Sequence, residues 1–255
     1  MVEAPLAQAV EPPVANPLAG SVDIGAGSYD LTGGFPARTT AFVRGELRSS
    51  AGQRWTGEVN RISEFGDTGD LFVLGYETPL GDDWLVQVSA ASSDAGATLP
   101  AQRLDFALGK KWLQDKNFVT TIGLTGINSK DAHSTQIVQV SGAYYFDAMQ
   151  YAASIEAGIQ NNTTNPGAVA ADYYFSALSL SREKVRVLSL RLAGGQEAYL
   201  PIGVDTALVN FYSTSATFTW REWLDRSSGL QARLEHYDNP NYESNGVELS
   251  WFWEF

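Results

Sequence analysis

No cysteine occurs among the 255 residues, which removes disulfide scaffolds, thiolate zinc sites and cysteine nucleophiles together. Histidine is nearly missing too, with only His133 and His236, so a histidine-rich metal centre has no material. Basic residues are scarce: 17 Lys and Arg stand against 29 Asp and Glu, for a net charge of −12. Nucleic acid needs a basic footprint, and this balance argues against it as a partner. Apolar runs are short. The longest, such as residues 71–76, fall far below the roughly 18 residues of a transmembrane helix. No three-turn stripe at i, i+3, i+4, i+7 is present, so helices are not expected. No charged-then-apolar leader is visible either, and residues 1–20, rich in Ala, Pro and Val without periodicity, read as a flexible tail with any signal already removed.

What is present is a period of two. Val247, Leu249, Trp251, Trp253 and Phe255 alternate with Gly246, Glu248, Ser250, Phe252 and Glu254. Successive side chains of a strand point to opposite faces, so one face is apolar and the other mostly polar. The alternation recurs back to residue 22. It is less clean at 54–64 and 70–78, and at 170–181 both faces are apolar and either register fits. About fourteen segments result, with about seventeen residues each including the link, the spacing of a membrane strand plus a turn. The links carry turn chemistry, such as GDD, QDKN, FDAM and REK among the short ones and SSDAGATLP, NNTTNPGA, EAYLPIGVDT and DNPNYESN among the long ones.

A sandwich also alternates, but three features weigh toward a barrel in lipid. The apolar face recurs in nearly every segment with no helix to cover it, and closure removes edges while satisfying every backbone group. Aromatics gather at segment ends: Trp55, Tyr76, Trp84, Trp112, Tyr144, Phe146, Tyr151, Trp220, Trp223, Trp251 and Trp253, as in an interfacial girdle. The final alternating segment ends on Phe255, similar to the signal by which outer-membrane barrels engage the assembly machinery. The expected fold is therefore all-β: an antiparallel transmembrane β-barrel of about 14 strands (12 or 16 as alternatives). It spans residues 21–255 behind a periplasmic tail at 1–20, in the outer membrane of a Gram-negative bacterium. An even count puts both ends on the periplasmic side, with short links there and longer ones outside. The girdle then comprises Trp84, Trp112, Tyr144, Phe146, Trp220, Trp251, Trp253 and Phe255.

The stretches GAGSYDLTGGFPARTTAFVRGELR, PLGDDWLVQVSAASSDAGATLP and LSLRLAGGQEAYLPIG, with the closing VELSWFWEF, resemble the YaiO family of outer-membrane β-barrels. No functional residue of the family matches a position here. The family is similar in architecture to barrel domains of exopolysaccharide exporters, which implies an envelope or polysaccharide role.

The polar face nominates a lumen lined by Arg44, Glu46, Glu58, Arg103, Asp105, Glu156, Arg191, Arg221, Arg233, Glu235 and Glu248, with Asp23, Glu77, Lys111 and Glu254 beside them. Mixed signs predict paired charges with a mild cation preference. Inward Tyr29, Phe42, Tyr145, Tyr237 and Phe252 offer faces for sugar rings. The favoured function is a non-enzymatic, porin-like channel component linked to envelope polysaccharide export or passive diffusion. A docking barrel of a larger envelope complex is the alternative, and a lipid-modifying enzyme stands behind both. His133 beside Ser134 would face the opposite way on a strand, and His236 has no evident serine, so neither builds a catalytic relay. Asp67, Asp70, Asp82 and Asp83 lie near turns without calcium-loop spacing. No catalytic residue, metal or cofactor is expected.

Overall fold

The computed structural model describes residues 18–96, 98–131, 133–199 and 209–255. Fourteen strands follow in chain order: β1 (Leu18–Leu31), β2 (Arg38–Ser49), β3 (Arg54–Glu64), β4 (Asp67–Leu80), β5 (Trp84–Ser93), β6 (Gln102–Trp112), β7 (Phe118–Asn128), β8 (Ser134–Ala148), β9 (Tyr151–Asn165), β10 (Val169–Arg182), β11 (Arg186–Tyr199), β12 (Val209–Trp223), β13 (Ser228–Asp238) and β14 (Glu243–Glu254). Every strand pairs antiparallel with its sequence neighbours, and β1 pairs with β14, so the sheet closes into one barrel. Gly20 and Phe255 exchange both backbone hydrogen bonds at the seam, at 2.8 and 2.9 Å. Closure leaves no edge in the hydrocarbon, where an unpaired backbone group costs several kcal/mol.

Of the expected tail at 1–20, residues 1–17 lie outside the described residues, and Leu18–Gly20 already belong to β1. The link expected over NNTTNPGA is mostly strand. Asn161–Asn165 continue β9, and only residues 166–168 form the turn, because their Asn and Thr amides keep pairing with β8 and β10. In DNPNYESN only residues 239–242 lie between strands. Of EAYLPIGVDT, residues 200–208 lie outside the described residues.

The register fixes two faces. Ile24, Val43, Val59, Phe72, Leu104, Leu124, Leu190, Leu234 and Leu249 sit on outward rows, with exposures from 41% to 67%. For Leu and Phe in a soluble protein that exposure would form an aggregating surface, whereas in a bilayer it is the lipid-facing band. The small buried set is inside: Tyr29, Phe42, Phe175, Phe211 and Phe252, alongside Glu156, Glu248, Ser213, Ser244 and Ser250.

The ambiguous segments resolve for local reasons. In β3 the outward row reads Trp55, Gly57, Val59, Arg61, so a glycine and an arginine blur the alternation; Arg61 is held by Asp70 at 3.3 Å on the neighbouring strand. In β10, Tyr174, Leu178 and Leu180 face outward and Ala171, Phe175 and Ala177 inward, since Leu178 pairs with Ile155 and Leu190 on their apolar rows. The inward Phe175 made both faces look apolar.

Candidate functional site: the interior wall

The interior is built on a repeated three-layer stack. Each of four inward aromatic rings pairs in register with a glycine on the adjacent strand: Tyr29 with Gly246, Phe42 with Gly25, Phe175 with Gly158, and Phe252 with Gly229. A Cβ at any of these glycines would overlap the ring, so the missing side chain is what lets the ring lie flat on the wall. Above each ring lies a guanidinium: Arg38 over Tyr29 at 3.7 Å, Arg44 over Phe42 at 3.8 Å, Arg191 over Phe175 at 4.1 Å and Arg221 over Phe252 at 3.5 Å. Such cation–π contacts are worth about 0.5–2 kcal/mol each, and they fix the orientation of otherwise long, floppy side chains.

Most charges on the arc from β12 through the seam to β4 meet one another. Glu248, 6% exposed, receives Arg44 at 3.8 Å and Arg233 at 3.7 Å. Arg233 also holds Glu235 at 2.8 Å, and Arg38 reaches Glu235 at 3.3 Å and Glu64 at 3.6 Å. Arg44 binds Glu58 at 3.2 Å. Arg221 binds Asp23 at 3.2 Å and Glu254 at 3.6 Å. Arg48 and Arg54 converge on Glu46, and Arg54 also approaches Glu77. Several of these pairs step over intervening strands, such as Arg38 on β2 to Glu235 on β13.

The arc from β5 to β11 is different. Its inward rows are mostly Ser, Thr, Ala, Gly, Gln and Asn, for example Thr121, Gly123 and Thr125 on β7. Its one interior ion pair among the described residues is Arg103–Asp105 at 2.8 Å, and Asp105 also accepts from Ser89 at 2.8 Å and Thr125 at 2.6 Å.

The structure thus places Arg44, Glu46, Glu58, Arg103, Asp105, Glu156, Arg191, Arg221, Arg233, Glu235 and Glu248 on inward rows. It gathers those of β2, β3, β12, β13 and β14 into three groups, one around Glu248 and Glu235, one around Glu46 and one around Arg221, and leaves the Arg103–Asp105 pair, Glu156 and Arg191 apart from them. Arg38 and Glu64 belong to the first group and Arg48 and Arg54 to the second, and none of the four was singled out from the sequence. The signal was there, because they keep the inward parity of Arg44 and Glu58 at strand ends, where boundaries are hardest to read.

On the outside, Trp84, Trp112, Tyr144, Phe146, Trp220, Trp251 and Trp253 lie on outward rows, and all stand at the end of the barrel that carries Phe255. Lys110 lies over Trp112 at 3.9 Å and over Trp84 at 5.0 Å, and Trp55 packs on Tyr76 at 4.2 Å. Trp223 departs from this group and turns inward. Its ring meets Phe252 at 5.1 Å and its indole N–H donates to Glu254 at 3.1 Å, because its parity is opposite to that of Trp220.

The two histidines sit at the opposite end. His133 contacts Asp131 at 2.7 Å and His236 contacts Asn245 at 2.8 Å. Among the described residues no three His, Asp or Glu side chains form a metal-binding group. In the turns, carboxylates cap backbone donors. The Asp70 N–H donates to Asp94 at 2.7 Å and holds its carboxyl below the usual range. The Ser227 N–H, then the Ser228 hydroxyl and N–H, do the same for Asp225.

A model of the YaiO membrane β-barrel domain matches residues 19–200. No curated protein matches the chain in sequence. Among solved structures, a bacterial polysaccharide outer-membrane secretin superposes with a TM-score of 0.56 at 10% identity, covering 92% of this chain and 98% of its own. Omp33 of Acinetobacter baumannii gives 0.54 at 10% identity, covering 94% and 100%. OprB of Pseudomonas putida gives 0.54 at 8% identity, covering 93% and 94%. The superpositions establish a shared fold. With the family match covering most of its length, the chain belongs to the YaiO membrane β-barrel domain family and is a β-barrel of the Gram-negative outer membrane.

Proposed function

We propose that this barrel is a non-enzymatic, channel-like component of the outer membrane that serves envelope polysaccharide export or passive diffusion of hydrophilic solutes. One observation carries the reading: the division of the interior. The arc from β12 to β4 ties its charges to one another, while the arc from β5 to β11 turns small, mostly uncharged hydroxyl and amide side chains inward, and Arg103, Thr121, Thr125 and Ser154 there remain half-buried. Fourteen strands enclose more space than such side chains fill. A wall of this kind offers hydrogen bonds without holding an ion tightly. The superposition on a polysaccharide secretin agrees with this reading. Reconstitution in planar bilayers tests it. Steady conductance is the expected result, and a silent bilayer from correctly folded protein would remove the channel reading.

One feature favours a docking barrel as a second reading. The turns at the aromatic end expose apolar tips, with Met149 fully exposed, Leu113 at 64% and Leu224 at 58%. Crosslinking from Met149 to a periplasmic protein, in cells, would support this reading over a free channel.

A further inference from the structure

Three of the four ring-stacked arginines are held by two carboxylates each; the fourth is not. Arg38, Arg44 and Arg221 are doubly paired. Arg191 has no carboxylate within 4.0 Å among the described residues, and its ionisable neighbours are Glu156 and Tyr173. A guanidinium presents a fork of donors, and Arg191, half-buried on an inward row, leaves its fork to lumen water or to a ligand that displaces that water. Arg191 is therefore oriented by Phe175 but not satisfied by the wall.

Its surroundings form a notch. Glu156, Ala177 and Arg191 lie in one row across β9, β10 and β11, with Ala177 paired to both. The outer two backbones are two strand spacings apart, about 10 Å, and Ala177 puts only a methyl group between them. On one side of the row stands the Phe175 ring on Gly158. On the other stands a row of hydroxyls, Ser154, Ser179 and Ser189, in which Ser179 donates to Ser189 at 3.1 Å. An acceptor carboxylate, a planar donor, three hydroxyls and an aromatic ring thus occupy adjacent positions on the inward face, around the small Ala177.

The chemistry selects the occupant. A free anion would satisfy Arg191 but meet the Glu156 carboxylate, which is only 9% exposed. A cation would meet the guanidinium. A neutral diol satisfies both, since one hydroxyl donates to the carboxylate while the oxygen of its neighbour accepts from the guanidinium. We infer that the Glu156–Ala177–Arg191 notch is a saccharide subsite for a neutral, hydroxyl-rich sugar residue. It rests on the conduit reading for its place along a transport path, but not for its ability to bind.

The test uses the whole barrel in detergent or nanodiscs, with folding checked by heat-modifiable migration. Maltohexaose serves as the neutral probe and an oligogalacturonate of equal length as the anionic one, with binding read by saturation-transfer NMR and titration. Maltohexaose binds, and Arg191→Gln, Glu156→Gln and Ala177→Leu each weaken it at least tenfold, as expected for loss of a charge-assisted hydrogen bond or of the space itself. Arg44→Gln, on an already paired stack, leaves binding unchanged. If Ala177→Leu does not fold, Ala177→Val replaces it. No maltohexaose binding, equal binding by all variants, or tighter binding of oligogalacturonate overturns the subsite. Sugar binding in a barrel without conductance removes the conduit and keeps the subsite; conductance without sugar binding does the reverse.

Discussion

The arc from β12 to β4 and the arc from β5 to β11 contain seven strands each and the same outward apolar band, yet their interiors differ. The first contains the β1–β14 seam, which joins the two ends of the chain. The second is a run of hairpins between sequence neighbours. Closing a long loop costs more entropy than closing a hairpin, and the interior ion pairs that step over strands, Arg38 to Glu235 and Arg221 to Asp23, lie around that seam. The lesson is a division of labour: charge fastens the wall where the chain must meet itself, and locally paired strands are left with small polar interiors.

Four outcomes would break or sharpen that comparison. The largest effect is on the face the arcs share. Leu249→Arg and Leu124→Arg, one in each arc, are expected to cost about 2–4 kcal/mol alike, the range for a cation at the bilayer midplane, in urea unfolding from lipid vesicles. A large difference between them would mean that the arcs do not share a lipid face. Next comes Glu248→Leu, which strands Arg44 and Arg233. The expected loss is about 2–3 kcal/mol, below the roughly 3–5 of a fully buried pair because lumen water hydrates the freed guanidinium groups. Ser179→Ala, in the other arc, should cost under about 1 kcal/mol. Equal losses would erase the division.

The third outcome concerns ions rather than stability. Thr121→Lys puts an unpaired cation on the sparsely charged arc and should move the reversal potential toward anions in a salt gradient. Arg54→Lys, inside the paired network, should leave it nearly unchanged. The smallest effect is in a turn. The Asp225 carboxyl is held below its ordinary range, so the turn gains stability above the unfolded carboxylate pKa and loses it as pH falls through the lower folded value. Amide exchange at Ser227 and Ser228 should accelerate across that acid window, and Asp225→Asn should flatten the response.

Much of this was legible in the residues. Val247, Leu249, Trp251 and Trp253 announce a strand with one oily face, because side-chain alternation is a local property of extended backbone; the same rhythm points to about fourteen strands and leaves twelve or sixteen open until the pairing closes the barrel. The outward side of the strand-end aromatics was readable for the same reason, except for Trp223, whose inward turn follows from a parity that only the β12–β13 register settles. The inward charges could be named, but their partners could not. Arg38 and Glu235 are 197 residues apart, and no spacing in the chain forecasts that pair.

The order of residues alone determined the period of two, the lipid-facing band and the polarity of the interior, since each depends only on neighbours along one strand. Tertiary structure decided which glycine lies under which ring, which ring-stacked arginine finds a carboxylate and which, Arg191, finds none among the described residues. Those outcomes depend on the stagger of strands brought together by closure, and stagger is a property of the whole sheet.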